Sequence, residues 1–103
     1  LTYELATSLN ALCFNKKNKK FVLDKNKSSR LIKGYESVRK LTRNEKLHFN
    51  TVCRGSALRY LLTRSYDYLN TPKNAMIKIK DPKEYFQKLN FHRKIISFKQ
   101  YLK

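Results

Sequence analysis

Leu1, Leu5, Leu9 and Leu12 recur at the spacing of one helix face, with Ala6 and Cys13 beside them, and predict a helix over residues 2–14. Residues 15–27 are a polar Lys/Asn stretch broken by Phe21-Val22-Leu23, which reads as a loop. Ser28 or Ser29 is placed to cap a second helix over about 29–39, with Leu31, Ile32, Tyr35 and Val38 on it. Thr42-Arg43-Asn44-Glu45 reads as a capping box and opens the longest helix, roughly 43–69. One stripe of that helix is Leu47, Leu58, Leu61, Leu62 and Leu69; another is Phe49, Val52, Cys53 and Tyr60. A helix apolar nearly all round belongs at the centre, so it is expected to be the most buried element. Thr71-Pro72 ends it, and residues 73–80 alternate as a loop or a short edge strand. Asp81-Pro82-Lys83-Glu84 supplies an N-cap, a first-turn Pro and a third-position Glu for a helix over about 82–89, and Ser97-Phe98-Lys99-Gln100 starts a last turn. Two glycines and two prolines are too few for an all-β chain. With no repeat and no boundary, residues 1–103 read as one all-α segment of about four main helices.

Charge adds a possible class of partner. Twenty-four Lys+Arg against 7 Asp+Glu give a net charge of +17, a field that attracts nucleic acid, anionic membranes or acidic proteins. The lysines are spread almost everywhere, as in Asn15-Lys16-Lys17-Asn18-Lys19-Lys20, and form no single helical stripe, so solvated surface is the preferred explanation. No apolar run approaches the ~18 residues of a membrane span, so no membrane partner is expected. Cys13 and Cys53 lack metal-ligand spacing and read as buried free thiols in a reducing, cytoplasmic setting. The chain shows no signal peptide, and Leu1 falls inside an apolar helical pattern, so further sequence is expected before it.

The candidate chemistry is incomplete. The only glycines, Gly34 and Gly55, make no phosphate loop, and no metal motif is present, so no catalytic or metal-binding residue is assigned. His48 and His92 are isolated and read as surface or core histidines. Asp24, Asp67 and Asp81 do not cluster; Asp81 is explained as a cap, and Asp67 as a partner for Arg64. Arginine is the exception. Lysines outnumber arginines 17 to 7, yet the cations between Leu47 and Pro72 are Arg54, Arg59 and Arg64. Arg54 falls within the Leu47/Leu58/Leu61 stripe and is either one half of a buried pair or a pocket-lining group. The buried pair, to Glu4 or to backbone carbonyls, is preferred. Arg59, about 140° around the helix, is expected nearer a face open to substrate.

The segment from Arg54 to Asp67, RGSALRYLLTRSYD, resembles the long C-terminal helix of bacterial homoserine kinases of the choline-kinase-like type. So do Tyr3-Glu4-Leu5-Ala6, Leu9-Asn10-Ala11-Leu12-Cys13-Phe14, Gly34-Tyr35-Glu36-Ser37-Val38-Arg39, Lys80-Asp81-Pro82-Lys83-Glu84-Tyr85 and Phe91-His92-Arg93, in the family's order over nearly the whole chain. The resemblance implies the C-terminal helical subdomain of a protein-kinase-like fold, in an enzyme that phosphorylates homoserine with ATP and Mg on the route to threonine. It implies that the ATP site, catalytic base and magnesium ligands lie upstream, in an N-terminal kinase lobe missing here or separately encoded. No cofactor is expected in this chain, and the isolated chain is expected to be inactive. Departures are Glu4 where the family often has Asp, Leu12 for Trp and Lys40 for Pro. The weak substrate-binding candidates are Asn10, Arg54, Arg59 and Arg64, since an arginine suits the carboxylate of an amino acid. The alternative is a small basic helical nucleic-acid-binding module, which salt-dependent binding to DNA or RNA would reveal.

Overall fold

A computed structural model describes residues 2–70 and 82–103. Four helices, α1 (Thr2–Leu12), α2 (Lys25–Val38), α3 (Arg43–Asn70) and α4 (Lys83–Arg93), are joined by a hairpin of β1 (Phe14–Lys17) and β2 (Lys20–Leu23) and followed by a 3-10 turn, Phe98–Tyr101. This is the predominantly helical, four-helix architecture expected, with a long central helix. α3 packs against both α1 and α4, α4 covers β2, and the 3-10 turn closes over α2 and α3.

The hairpin corrects the loop expected over 15–27. Its strands pair antiparallel from Phe14 opposite Leu23 to Lys17 opposite Lys20. Asn18 and Lys19 turn the chain with φ of 49° and 67°. Two consecutive positive φ values match the twist of antiparallel strands, and asparagine tolerates that region better than most residues. The lysines flanking the turn carry no apolar alternation, so the pattern hides the strands.

Helix starts show where capping governs. Asp24, not Ser28 or Ser29, caps α2: its Oδ1 accepts from the backbone N–H of Asn26 (2.9 Å) and Lys27 (3.3 Å). The hydrogen bond that Asn15 donates to Oδ2, followed by those backbone N–H groups, holds the Asp24 carboxyl below its usual range. Ser28 and Ser29 are buried one turn inside the helix, and the Ser28 hydroxyl donates to the Tyr101 carbonyl. At α3 the capping box forms as expected: Glu45 N–H donates to Thr42 Oγ1 (3.1 Å), and Glu45 Oε1 accepts from Thr42 N–H (2.9 Å). The Thr42 N–H, then Thr2 and Arg39 through their bonds to Oε2, holds the Glu45 carboxyl down at about 2. The last turn expected from Ser97 forms, and it opens on a capping box between Ser97 and Gln100. The Asp81 cap and the 73–80 stretch lie outside the described residues. α4 runs past the expected end at Leu89 to Arg93, held there by Asn50, whose Nδ2 donates to the His92 carbonyl (2.7 Å).

The core holds Leu5, Ala6, Leu9, Cys13, Leu23, Ile32, Leu41, Phe49, Cys53 and Tyr101. Here α3 differs from expectation. Its buried residues are Phe49 and Cys53 of the second stripe, with Ser56 and Ala57 on the same side, while most of the leucine stripe faces outward: Leu47 is 73% exposed, Leu58 45%, Leu62 61% and Leu69 80%, with Leu61 half-buried. Small side chains decide the side. With Cys53, Ser56 and Ala57 in the contact, α1 comes close enough for Asn10 Nδ2 to donate to the Cys53 carbonyl (3.2 Å) and for the Thr7 and Ser56 hydroxyls to meet (3.0 Å).

Lys19 holds a left-handed conformation that glycine adopts without steric cost. Lys19→Gly is therefore expected to stabilise the chain by roughly 0.5–1 kcal/mol, read from thermal or urea melts. A lower melting point would show that the Lys19 side chain supports the hairpin.

Candidate functional site

The four candidate residues do not converge on one pocket. Asn10 is fully buried on α1 and saturated: Nδ2 reaches Cys53, Oδ1 lies 2.6 Å from His92 Nε2, and its carbonyl accepts from Lys88 Nζ (2.6 Å). It is a structural hub rather than a pocket wall. Arg54, expected buried against Glu4 or backbone carbonyls, is exposed, and its Nη2 donates to Thr51 Oγ1 (3.3 Å) on its own helix. It follows the leucine stripe, and that stripe turned outward. Arg64 pairs with Glu84 (2.8 Å) rather than serving only Asp67, and its guanidinium stacks 4.3 Å from the centre of the Tyr85 ring. Arg59 is exposed and donates to the Tyr3 hydroxyl (3.2 Å) across the α1–α3 groove. That hydrogen bond lowers the Tyr3 phenol's pKa and raises that of the guanidinium.

Around Asn10 the fold builds a polar cluster. Lys88 is 2% exposed, with its ammonium bonded to Glu84 Oε2 (2.6 Å) and the Asn10 carbonyl. It sits 4.6 Å from the Tyr85 ring centre, 5.3 Å from Phe21 and 5.4 Å from Phe14. Those aromatic faces favour a cation that has lost its water. Burial pushes the Lys88 pKa down against the pull of Glu84. For Glu84, burial raises the pKa, but the bonds from Lys88 and Arg64 outweigh it and the net shift is downward.

His92, equally buried, continues the chain of contacts. Since Asn10 Nδ2 is donated to Cys53, Asn10 Oδ1 is the acceptor and His92 Nε2 carries the proton. His92 Nδ1 then accepts from the Tyr101 hydroxyl (2.8 Å), whose oxygen accepts from Asn50 Nδ2 (2.9 Å). Every bond has one donor and one acceptor only while His92 is neutral. Burial, reinforced by the charges of Lys88 and Arg54, lowers its pKa to about 4. Burial likewise raises the thiols of Cys13 to about 11 and Cys53 to about 12, which makes both inert at neutral pH.

The cluster was missed at the sequence level, although Glu84, Lys88 and His92 stand at i, i+4 and i+8 on one helix face. That spacing announces adjacency. It does not announce burial, because the aromatics that line the cage come from β1, β2 and α4 itself.

Among the described residues, no group of three His, Cys, Asp or Glu side chains stands ready to hold an ion, and Gly34 and Gly55 lie inside helices rather than in a phosphate-cradling loop. No helix among the described residues is long and apolar enough to cross a membrane.

Fold and cluster together define a helical scaffold segment, internally wired on one side and open on the other. The chain matches no family model. It is 46% identical over 101 residues to a homoserine kinase of Sinorhizobium fredii, 45% identical to one of Chelativorans sp. and 43% identical to one of Paramagnetospirillum magneticum. Each match covers 98% of this chain and 30% of the relative. The chain is thus homologous to part of the homoserine kinases, as its sequence blocks indicated, and spans about 30% of the length of the curated relatives it matches.

The wiring of His92 sets a pH dependence. The unfolded chain holds a proton on this residue below about 6.5, whereas the folded chain takes it only near 4, so the unfolded state binds more protons between these values. Stability is expected to be intact above pH 6.5 and to fall by up to roughly 3 kcal/mol as pH drops to 4. His92→Gln is expected to lower stability at pH 7 and to flatten the profile between pH 5 and 7. Urea melts at several pH values read both effects; an unchanged slope in the variant would assign the titration elsewhere.

Proposed function

We propose that this chain works as the C-terminal, acceptor-side helical part of an ATP-dependent homoserine kinase of protein-kinase-like fold, acting in threonine biosynthesis in the cytoplasm. The observation that carries the proposal is 46% identity over 101 residues to a homoserine kinase, extending across 98% of this chain. The nucleotide, the metal and the catalytic base are assigned, as the family resemblance implies, to an N-terminal kinase lobe outside this segment; the relatives extend well beyond the 30% of their length that the chain matches.

Within this segment the acceptor side falls to Arg59. Asn10 is sealed in the core, and Arg64 is committed to Glu84 and Tyr85. Arg59 remains open, with its guanidinium oriented by Tyr3 from the neighbouring helix. A planar guanidinium fixed at one edge has donors left for a carboxylate such as that of homoserine.

The test is a chimera in which this chain replaces the matching 101 residues of the Sinorhizobium fredii homoserine kinase. It is expected to phosphorylate homoserine with ATP, while the 103-residue chain alone turns over nothing above background. In the chimera, Arg59→Ala is expected to raise KM for homoserine about tenfold or more with kcat little changed, the signature of lost uniform binding. A folded chimera without homoserine-dependent turnover would reject the assignment. An Arg59→Ala change confined to kcat would remove Arg59 from substrate binding.

A further inference from the structure

The outward face of α3 is built like a core surface. Leu47, Leu58, Leu62 and Leu69 follow one another at helical spacing, and Tyr66 stands beside them, 68% exposed. The stripe runs roughly 33 Å along the helix. Scattered exposed leucines need no explanation, but leucines aligned on one side of a helix whose opposite face is already packed mark a contact surface. No described residue covers it. The relatives carry about 70% of their length outside the stretch that this chain matches, and that is the polypeptide available to do so.

We infer that the leucine face of α3 is the surface on which the rest of the homoserine-kinase polypeptide docks, with Arg54 as the polar contact at its centre. This assignment presupposes that the chain works as part of such a kinase. Arg54 lies in line with Leu47, Leu58 and Leu62, and among the described residues its guanidinium donates to the Thr51 hydroxyl of its own helix. Covering the leucines removes water from Arg54 as well. The docking surface must therefore present a carboxylate or carbonyl opposite it, because an uncompensated buried guanidinium is strongly unfavourable. A net charge of +17 on this segment further favours a partner surface rimmed with acids.

Cysteine labelling tests the surface directly, since the native thiols of Cys13 and Cys53 are buried and protonated. Leu62→Cys should react quickly with a thiol reagent in the 103-residue chain and at least tenfold more slowly in the chimera, as read by peptide mass. Lys33→Cys, on the exposed side of α2, should react equally in both. The same cysteine at the aligned position of the intact Sinorhizobium fredii enzyme should also be protected, an arm that does not require the chimera to fold. Equal labelling of Leu62→Cys in all backgrounds overturns the inference. Protection in the isolated chain that vanishes on dilution assigns the face to a second copy and overturns the choice of occupant. Protection in the chimera without homoserine turnover leaves the docking surface standing and rejects the enzymatic assignment alone. As a second variant, Leu58→Ser/Leu62→Ser should leave the melt of the isolated chain within about 2 °C of the parent, as for surface positions. An equally large drop in chain and chimera would place these leucines in the segment's own core and sink the proposal.

Discussion

The imidazole of His92 has room for one tautomer, and the contact between α1, α3 and α4 depends on it. Asn10 Oδ1 must accept from Nε2 because the Asn10 amide N–H is given to the Cys53 carbonyl, and Tyr101 must donate to Nδ1 because that nitrogen of the neutral ring then carries no proton. Residues 10, 50, 92 and 101 thereby fix one another's donor and acceptor roles through a single buried ring. Such a network is worth having only when complete, since each broken link leaves a polar group without water. No buried side-chain nitrogen or oxygen among the described residues lacks a partner. The apolar core alone would tolerate small rotations of α4 on α1; the hydrogen bonds do not.

The scarce carboxylates follow the same logic. Among 24 cations, Glu84 joins α4 to α3 through Arg64 and neutralises buried Lys88, and Glu45 ties the start of α3 to Thr2 and Arg39. Asp24 joins the hairpin to the start of α2 through Asn15, and Glu36 accepts from the Leu41 N–H and faces Lys46 at 3.8 Å. Each of these four acids sits where two elements meet. Surface lysines can repel one another through water at little cost, but a joint between helices needs a fixed partner. The excess positive charge is therefore compatible with an ordered fold, without nucleic acid to neutralise it.

What could be read from the sequence was what is local. The Thr42–Glu45 box, the last turn starting at Ser97, the length of α3 and the existence of four helices follow from side chains close in sequence to the backbone they cap. The hairpin did not, because Asn18 and Lys19 turn the chain by backbone conformation and the flanking lysines mask the strands. Asp24 was passed over for Ser28 because the strand before it was unseen. Asn10, read from the sequence as a substrate-binding candidate, lies buried in the polar network, and Lys88 was not set apart from the surface lysines because nothing local says that Phe14, Phe21 and Tyr85 will surround it. The blocks shared with homoserine kinases were legible because they depend on residue order, not on packing.

The misplaced stripe of α3 has a different origin. Periodicity says that a leucine face will be covered, not by what. Within this segment the competition between two apolar faces goes to the one with small residues, since Cys53, Ser56 and Ala57 let α1 approach closely and engage the α3 backbone. The bulkier leucine face then remains for a second partner. Arg54 shares that fate: it lies in the stripe, and it is exposed with it. Two apolar faces are the pattern of a central helix, and the docking proposed for the second face agrees with a chain that spans about 30% of its relatives' length.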